Sequence, residues 1–220
     1  MRKLRAMYAE AFHQGELDKE DVVYRKFPVM QKTMGKKLKN WMKLFDASDG
    51  KILRVLSGIY GEDPAVIEPR RQFYLNTLSG FGHTYGSEAE VIIVRTPARV
   101  NLMGVHIDHR GGYTNYICIA REILMVCQKR EDDRVVLHNI DPRFESTSFN
   151  IGQELPESKR DNWMKYIEQV EITPGHWSNY IKAAVLRLQE KCQDKALKGM
   201  NIMVNGDIPS SAGLSSSSAL

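Results

Sequence analysis

The sequence predicts an α+β fold, and three observations carry this prediction. Apolar runs of strand type recur between residues 91 and 151, amphipathic helical patterns flank them, and a last strand-type run leads into a loop of small residues that would begin another helix. A turn-rich break lies at Gly61-Glu62-Asp63-Pro64. We therefore predict a small helical extension over residues 1–64 and an α+β domain over residues 65–220.

The helical extension is predicted from apolar residues at spacings of three and four. These spacings occur at Leu4, Met7, Tyr8 and Phe12, and they recur between Met30 and Phe45. Four lysines lie in the second stretch, namely Lys36, Lys37, Lys39 and Lys43. We interpret them as a solvated helix face. A docking surface for an acidic partner or nucleic acid is the alternative, and the lack of interleaved exposed aromatic residues disfavours it.

The elements of the α+β domain are predicted in chain order. A helix is expected over 64–85, because apolar positions recur along it and Gly80 and Gly82 mark its end. Strands are expected over 91–94, 100–102, 116–119, 123–129, 132–140 and 144–151. Two helices, over 163–170 and 177–190, then precede a strand over 200–205.

Composition excludes several classes of protein. The chain has 220 residues, of which 42% are hydrophobic and 26% charged, as in ordinary globular proteins. Its net charge of +4 does not require a nucleic-acid partner, and no apolar run approaches the roughly 20 residues of a membrane span. The three cysteines lack metal-ligand spacing, and we expect no signal peptide, because Glu10 and His13 follow the basic start before any apolar stretch. We predict a cytoplasmic protein with free thiols and without a nucleic-acid or membrane partner.

The end of the chain has the composition of a phosphate-binding loop. Residues 208–219 read Ile-Pro-Ser-Ser-Ala-Gly-Leu-Ser-Ser-Ser-Ser-Ala. Small side chains let backbone N–H groups approach an anion, and a helix that begins in the serine run directs its positive end at the same place. A flexible Gly/Ser linker is the alternative. The strand-type run over residues 200–205 favours the loop, because a strand, a small-residue turn and a helix start suit anion binding.

A second motif lies in the middle of the chain. Residues 97–112 read Pro-Ala-Arg-Val-Asn-Leu-Met-Gly-Val-His-Ile-Asp-His-Arg-Gly-Gly. This segment resembles the first hallmark of the sugar 1-kinases of the GHMP kinase superfamily, and galactokinases most closely. Residues 208–219 resemble the second hallmark, which wraps the nucleotide phosphates. The resemblance covers roughly residues 66–220 and implies the N-terminal half of a GHMP kinase, a ribosomal-protein-S5-like domain. The positions that match the first hallmark are Pro97, Arg99, Val100, Asn101, Leu102, Gly104, His106, Asp108, Gly111 and Gly112.

The resemblance implies roles for individual residues. Arg99 is the catalytic candidate, because a fixed cation can stabilise charge on a transferring phosphoryl group. The implied monosaccharide site comprises Val105, His106, Asp108, Gly111 and Tyr113. ATP phosphates would lie against Pro209, Ser211, Ala212, Gly213, Leu214, Ser215, Ser216 and Ser217, with Ser217 also a ligand of Mg²⁺. Without the resemblance, Asp108 would be interpreted as an Asx-turn residue, His106 as a core histidine and Arg99 as half of a surface ion pair.

Departures from the hallmark bear on the substrate. Val105 stands where galactokinases carry a glutamate that contacts the hydroxymethyl oxygen of the sugar, and valine cannot accept that hydrogen bond. We therefore expect galactose or a close relative as substrate, with a pentose or a 6-deoxy sugar as the specific hypothesis. His109 and Ile107 also replace the usual tyrosine and threonine.

The predicted function is ATP-dependent phosphorylation of a monosaccharide at its anomeric hydroxyl. The alternatives are a non-catalytic sugar-binding and ATP-binding regulator, an inactive truncated fragment, and a mevalonate-type or homoserine-type kinase of the same superfamily. The catalytic aspartate of the family follows the serine loop at a distance that places it beyond residue 220. We therefore expect the chain alone to lack turnover and to expose part of a core face, through which a homodimer could form.

Overall fold

A six-stranded mixed sheet organises the structure, a computed structural model. The structure describes residues 35–46, 50–104, 111–160, 163–170, 172–193, 195–209, 214 and 219–220. One compact unit extends from Gly35 to Leu220. Its strands are β1 (Lys36–Lys37), β2 (Glu90–Met103), β3 (Asn115–Lys129), β4 (Arg134–Asn139), β5 (Thr147–Asn150) and β6 (Met200–Gly206). Its helices are α1 (Leu38–Asp46), α2 (Gly50–Tyr60), α3 (Pro64–Tyr85), α4 (Ile151–Glu154), α5 (Trp163–Gln169) and α6 (Ser178–Lys191), with a 3₁₀ turn over Glu157–Lys159.

The strands lie in the order β1-β2-β3-β6-β4-β5. All neighbours are antiparallel except β4 and β6, which run parallel. Ile123 in the middle of β3 pairs with Thr96 of β2 on one side and with Gly206 of β6 on the other. The last residue of β6 therefore lies level with the centre of β2, and the chain that follows β6 leaves the sheet there.

Side-chain alternation along the strands creates a core on each face of the sheet. Ile202 and Val204 of β6 pack into a cluster with residues of α4, α5 and α6, whereas Met203 packs with residues of α1, α2 and α3. Leu124 and Val126 of β3 also belong to the second cluster. Successive residues of a strand point to opposite faces, so the strongly apolar centre of the sheet supports helices on both sides.

Helix α3 covers the longest part of one face. Asp63 caps its start, because the Asp63 side chain accepts a hydrogen bond of 2.9 Å from Ala65 N, and Pro64 occupies a first-turn position. At the other end, the Gly86 N–H donates to Gly82 O over 2.9 Å. The predicted helix over 64–85 is confirmed with both of its ends.

The predicted α+β fold is confirmed, while some elements differ from the prediction. The two strands predicted over 91–94 and 100–102 are parts of β2, and those over 116–119 and 123–129 are parts of β3. Both strands continue through the polar or proline-containing residues that separate the predicted segments. The strand expected over 144–151 is confined to Thr147–Asn150 and continues into the short helix α4.

Helices α1 and α2 share a core with α3, although their residues were assigned to the helical extension. Leu38 and Phe45 of α1 and Leu56 of α2 are buried together with Tyr74 and Leu78 of α3. Residues 1–34 lie outside the described residues, so the division of the chain at residue 64 stays a prediction.

The structure bears on the cysteines and on the membrane-spanning potential of the helices. All three cysteines are free, as predicted, with Cys118 exposed and Cys127 and Cys192 partly buried. Burial raises the pKa of the Cys127 thiol to about 12, which keeps it protonated and unreactive. Within the ranges that the structure describes, every helix is too short or too polar to cross a membrane.

Candidate functional site

A β-bulge in the pairing of β2 with β3 precedes Arg99. Pro97 pairs with Glu122 and Arg99 with Cys118, so the fully buried Ala98 of β2 is opposite residues 119–121 of β3, and the extra residues belong to β3. After the bulge, Arg99 is opposite Cys118 of β3. Bulges redirect the side chains that follow them, which is why they recur beside functional sites.

Arg99 brings the two sequence motifs together. Its backbone N–H donates to the carbonyl oxygen of Leu214, in the serine-rich loop, over 3.4 Å. Its guanidinium carbon lies 4.9 Å from the ring centroid of Tyr116, at cation–π distance. The catalytic candidate of the first motif is thus in contact with the predicted phosphate loop.

The backbone at Gly104, before the predicted sugar loop, lies close to the backbone at Tyr113, after it. Gly104 has φ +90°, and a Cβ on it would lie 2.4 Å from the carbonyl oxygen of Tyr113. Only glycine fits such a backbone approach at positive φ. Of the sugar-binding candidates, Val105, His106 and Asp108 lie outside the described residues. Gly111 is described, with φ +77°, and Tyr113 is 90% exposed.

The predicted phosphate loop is anchored at both of its ends. Ile208 at its start, and Ala219 and Leu220 after it, pack on the core cluster of α5 and α6. Pro209 and Leu214 are described at its beginning and centre. Of the remaining phosphate-binding candidates, Ser211, Ala212, Gly213, Ser215, Ser216 and the Mg²⁺ candidate Ser217 lie outside the described residues. The prediction that Asp108 and the serine run face one another therefore stays a prediction.

The apolar side chains at this end of the sheet are unusually exposed. Leu102, Met103 and Ile117 are between 46% and 67% exposed. Leu102 and Met103 follow Arg99 on β2, and Ile117 of β3 is opposite Val100. An exposed apolar surface was expected from the sequence, while the homodimer that it could support stays a prediction.

A buried charge cluster beside the bulge was not predicted. Its centre is the Glu122 carboxylate of β3, which is 0% exposed. Glu122 accepts a 2.5 Å hydrogen bond from the Tyr60 hydroxyl and forms an ion pair with Arg95 of β2. Arg70 of α3 adds a longer ion pair, with Nη1 3.5 Å from Oε1 of Glu122. Burial, and then the hydrogen bond to Glu122, raise the pKa of Tyr60, so this hydroxyl stays protonated and donates.

Asp207 joins the cluster where β6 ends. Its carboxylate accepts from Arg70 Nη2 at 2.5 Å, from Arg121 Nη1 at 3.1 Å and from the backbone N–H of Glu122 at 2.8 Å. Burial opposes its ionisation, but the bond from Arg70 and the backbone bond outweigh burial and lower the pKa of Asp207. Asp207 therefore stays charged and holds the chain that enters the predicted phosphate loop. In the sequence, Arg95, Arg121 and Glu122 have the polarity of exposed residues that interrupt a strand. The hydrophobic pattern therefore did not predict a buried charge cluster.

Comparisons with known proteins agree with both motifs. Residues 79–129 match the galactokinase galactose-binding signature, and residues 179–220 match the GHMP kinases N terminal domain. A galactokinase of Candida parapsilosis is 29% identical over 161 residues, which are 71% of this chain and 29% of that protein. A galactokinase of Ligilactobacillus salivarius is 32% identical over 147 residues, which are 64% of this chain and 32% of that protein.

One solved structure is also similar to this chain in sequence and fold. The crystal structure of Lactococcus lactis galactokinase complexed with galactose is 26% identical, with a TM-score of 0.52, over 64% of this chain and 32% of that chain. The chain spans about a third of the length of these three proteins.

The mixed sheet, the flanking helices and the loop after β6 are thus similar to the N-terminal portion of GHMP kinases. Within that class the portion is galactokinase-like, because its β2–β3 region carries the galactose-binding signature and its relatives are galactokinases. This similarity is the basis for the proposals that follow.

Proposed function

We propose that this protein is a sugar kinase that transfers the γ-phosphate of ATP to the anomeric hydroxyl of a monosaccharide. The observation that carries the proposal is the hydrogen bond between Arg99 N and Leu214 O, which joins the strand of the sugar motif to the loop of the phosphate motif. Phosphoryl transfer depends on holding acceptor and nucleotide together and on neutralising the charge that moves between them. A cation beside a phosphate loop fits that requirement.

Each candidate residue has a defined role in this proposal. Asp108 and His106 bind ring hydroxyls of the sugar, since a carboxylate can accept from two hydroxyls at once. Arg99 stabilises negative charge on the transferring phosphoryl group. Gly111 and Tyr113 border the sugar. The phosphates lie against the backbone and hydroxyl groups of residues 209–217, and Mg²⁺, held at Ser217, neutralises phosphate charge when it is bound.

Substrate-panel assays test the proposal directly. The chain is incubated with ATP, Mg²⁺ and single monosaccharides, and ³¹P NMR follows the appearance of a sugar 1-phosphate. Because the chain spans about a third of its relatives, the same panel is measured for binding by titration calorimetry, with a non-hydrolysable ATP analogue as the second ligand. Binding of sugar and nucleotide without turnover supports the binding part of the proposal and fits the regulator alternative equally well, because turnover is not expected of this chain alone. Binding of neither ligand refutes the proposal.

Sugar preference gives a sharper prediction at Val105. We expect D-fucose and L-arabinose, which lack the C6 hydroxyl, to bind about tenfold more tightly than galactose, because valine cannot accept a hydrogen bond from that hydroxyl. The Val105→Glu variant supplies the missing acceptor, and we expect it to reverse the preference. Dissociation constants from calorimetry check both statements. A wild-type chain that binds galactose more tightly than both analogues contradicts the hypothesis.

Cys118 offers a chemical reporter of the nucleotide. It is exposed and opposite Arg99 on the neighbouring strand, and directly opposed side chains have Cβ atoms about 5 Å apart on one face of the sheet. We expect a bound Mg²⁺–ATP analogue to slow alkylation of Cys118 at least about fivefold, as measured by peptide mass spectrometry. Cys192 in the same sample is the control and should react at an unchanged rate. Equal alkylation of Cys118 at a saturating analogue concentration would place the nucleotide elsewhere.

A further inference from the structure

Asp207 is the residue at which the chain passes from the sheet to the predicted phosphate loop. It directly follows Gly206, the last residue of β6, and precedes Ile208 and Pro209. Its backbone N–H donates to Glu122 O over 3.1 Å, while its side chain accepts from Glu122 N over 2.8 Å. Two hydrogen bonds in opposite directions thus fix Asp207 on one residue of β3.

Two arginines complete the attachment. Arg70 of α3, whose side chain is 11% exposed, reaches one carboxylate oxygen of Asp207 with Nη2 at 2.5 Å. Arg121 of β3, whose side chain is 54% exposed, reaches the same oxygen at 3.1 Å. The carboxylate therefore accepts three N–H groups from two elements. An asparagine at this position has a single acceptor oxygen, and its NH₂ group would face either a cation or a backbone N–H.

The same cluster holds the strand that carries Arg99. Glu122, whose backbone is bound to Asp207, pairs through its side chain with Arg95 of β2. Arg95 precedes the register shift between Pro97 and Arg99, and Glu122 borders the extra residues of β3 at the same shift. The start of the phosphate loop and the approach to Arg99 are thus attached to one buried point of β3. The hydrogen bond from Arg99 N to Leu214 O is a second connection between β2 and the predicted phosphate loop.

We propose that Asp207 is a positioning residue of the phosphate loop, which fixes the start of the loop on Glu122 so that Leu214 lies against Arg99. The inference rests on the proposed function, because it assumes that the loop binds nucleotide phosphates. Asp207 itself touches neither substrate in this account. It acts through the loop that follows it.

The test compares Asp207→Asn with Asp133→Asn in the full chain. Asp133 is a matched control, because its carboxylate accepts from Asn150 Nδ2 at 2.9 Å and from the backbone N–H of Gly152 at 2.8 Å. It precedes β4, whose first residues pair with the start of β6, whereas Asp207 follows the end of β6. Both variants exchange a hydrogen-bonded carboxylate for an amide, at opposite ends of the same strands.

Two readouts separate positioning from stability. We expect Asp207→Asn to weaken binding of a Mg²⁺–ATP analogue about tenfold, the effect of losing a charge-assisted contact, and Asp133→Asn to leave it unchanged. In the ligand-free chain, we expect the Arg99 amide to exchange with solvent at least about fivefold faster in Asp207→Asn alone, as followed by NMR. Arg121→Gln, which removes one exposed donor, should show smaller changes in the same direction and serves if Asp207→Asn does not fold.

The readouts also separate this inference from the proposed function. If the wild-type chain does not bind the nucleotide, the proposed function fails, and the Arg99 amide still reports whether Asp207 holds the loop. Arg99 exchange that matches wild type in Asp207→Asn, or in Arg121→Gln where that variant is used, overturns the inference. Equal loss of nucleotide affinity in Asp207→Asn and Asp133→Asn also overturns it, because a general loss of stability then explains both.

Discussion

Replacing Glu122 by glutamine is expected to lower the free energy of unfolding by about 3–5 kcal/mol, as is usual when one partner of a buried ion pair is removed. The carboxylate is fully buried, pairs with Arg95 and Arg70, and accepts the Tyr60 hydroxyl. Glutamine has nearly the same shape but no charge. It would leave the partly buried guanidinium of Arg95 without the anion that offsets its loss of water, whereas Arg70 keeps Asp207.

Urea unfolding of Glu122→Gln, followed by circular dichroism, measures this effect. Glu88→Gln is the control, because Glu88 pairs with Lys37 and Lys39 at an exposed position, where ion pairs contribute little. We expect the control to unfold at the wild-type urea concentration. A Glu122→Gln variant that loses less than about 1 kcal/mol would show that Arg95 and Arg70 find other partners or water, and the cluster would then not be a structural centre.

The charge cluster also explains why β3 was predicted as two strands and not as one. Residues 116–119 and 123–129 each have strand character, and the Arg121-Glu122 pair between them has the polarity of a turn. A single strand passes through both, because Glu122 finds cations from α3 and β2. Those partners are 27 and 52 residues away in the sequence, so local patterns cannot reveal them.

Elements whose signal is local were predicted well. The Asp63-Pro64 start and the glycine-marked end of α3 are encoded within a few residues, and α3 matches its predicted bounds. The apolar run over 200–205 likewise predicts a strand, and the structure shows β6 buried on both faces. Helices α1 and α2 show the limit of such signals. Their periodicity predicts helices, but only tertiary packing reveals that Leu38 and Leu56 share the core of α3.

The candidate site divides in the same way. The chemistry of Arg99 and of the small-residue loop could be predicted from residue types, and their proximity from the family resemblance. The contact between Arg99 N and Leu214 O follows a bulge whose extra residues lie in β3, opposite Ala98, and a bulge leaves no reliable mark in a single sequence. Asp207 could have been noticed as a charged residue between an apolar strand and a phosphate loop, but nothing in the sequence identifies Arg70 as its partner.

Gly104→Ala should produce the second large effect, at the entrance to the predicted sugar loop. The new methyl group would lie 2.4 Å from Tyr113 O and 3.1 Å from the Thr114 Cα, so the backbone on one side of the loop has to move. The residue must also keep φ near +90°, which disfavours alanine. We expect sugar binding to weaken at least about tenfold, because the proposed sugar-binding residue Asp108 lies in the sequence between Gly104 and Tyr113, and a lost hydrogen bond costs about that factor.

Gly86→Ala is the control variant. It distinguishes the effect of the steric clash at Gly104 from the effect of backbone strain at positive φ. Gly86 has φ +85°, follows α3 at the far end of β2, and offers open space to a Cβ. Its substitution should cost about 1–3 kcal/mol of stability through φ alone and leave sugar affinity unchanged. Thermal unfolding and calorimetric sugar titration of both variants give the comparison. If Gly104→Ala binds sugar as well as Gly86→Ala does, the closure at Gly104 and Tyr113 does not shape the sugar site, and the loop has to be positioned by other contacts.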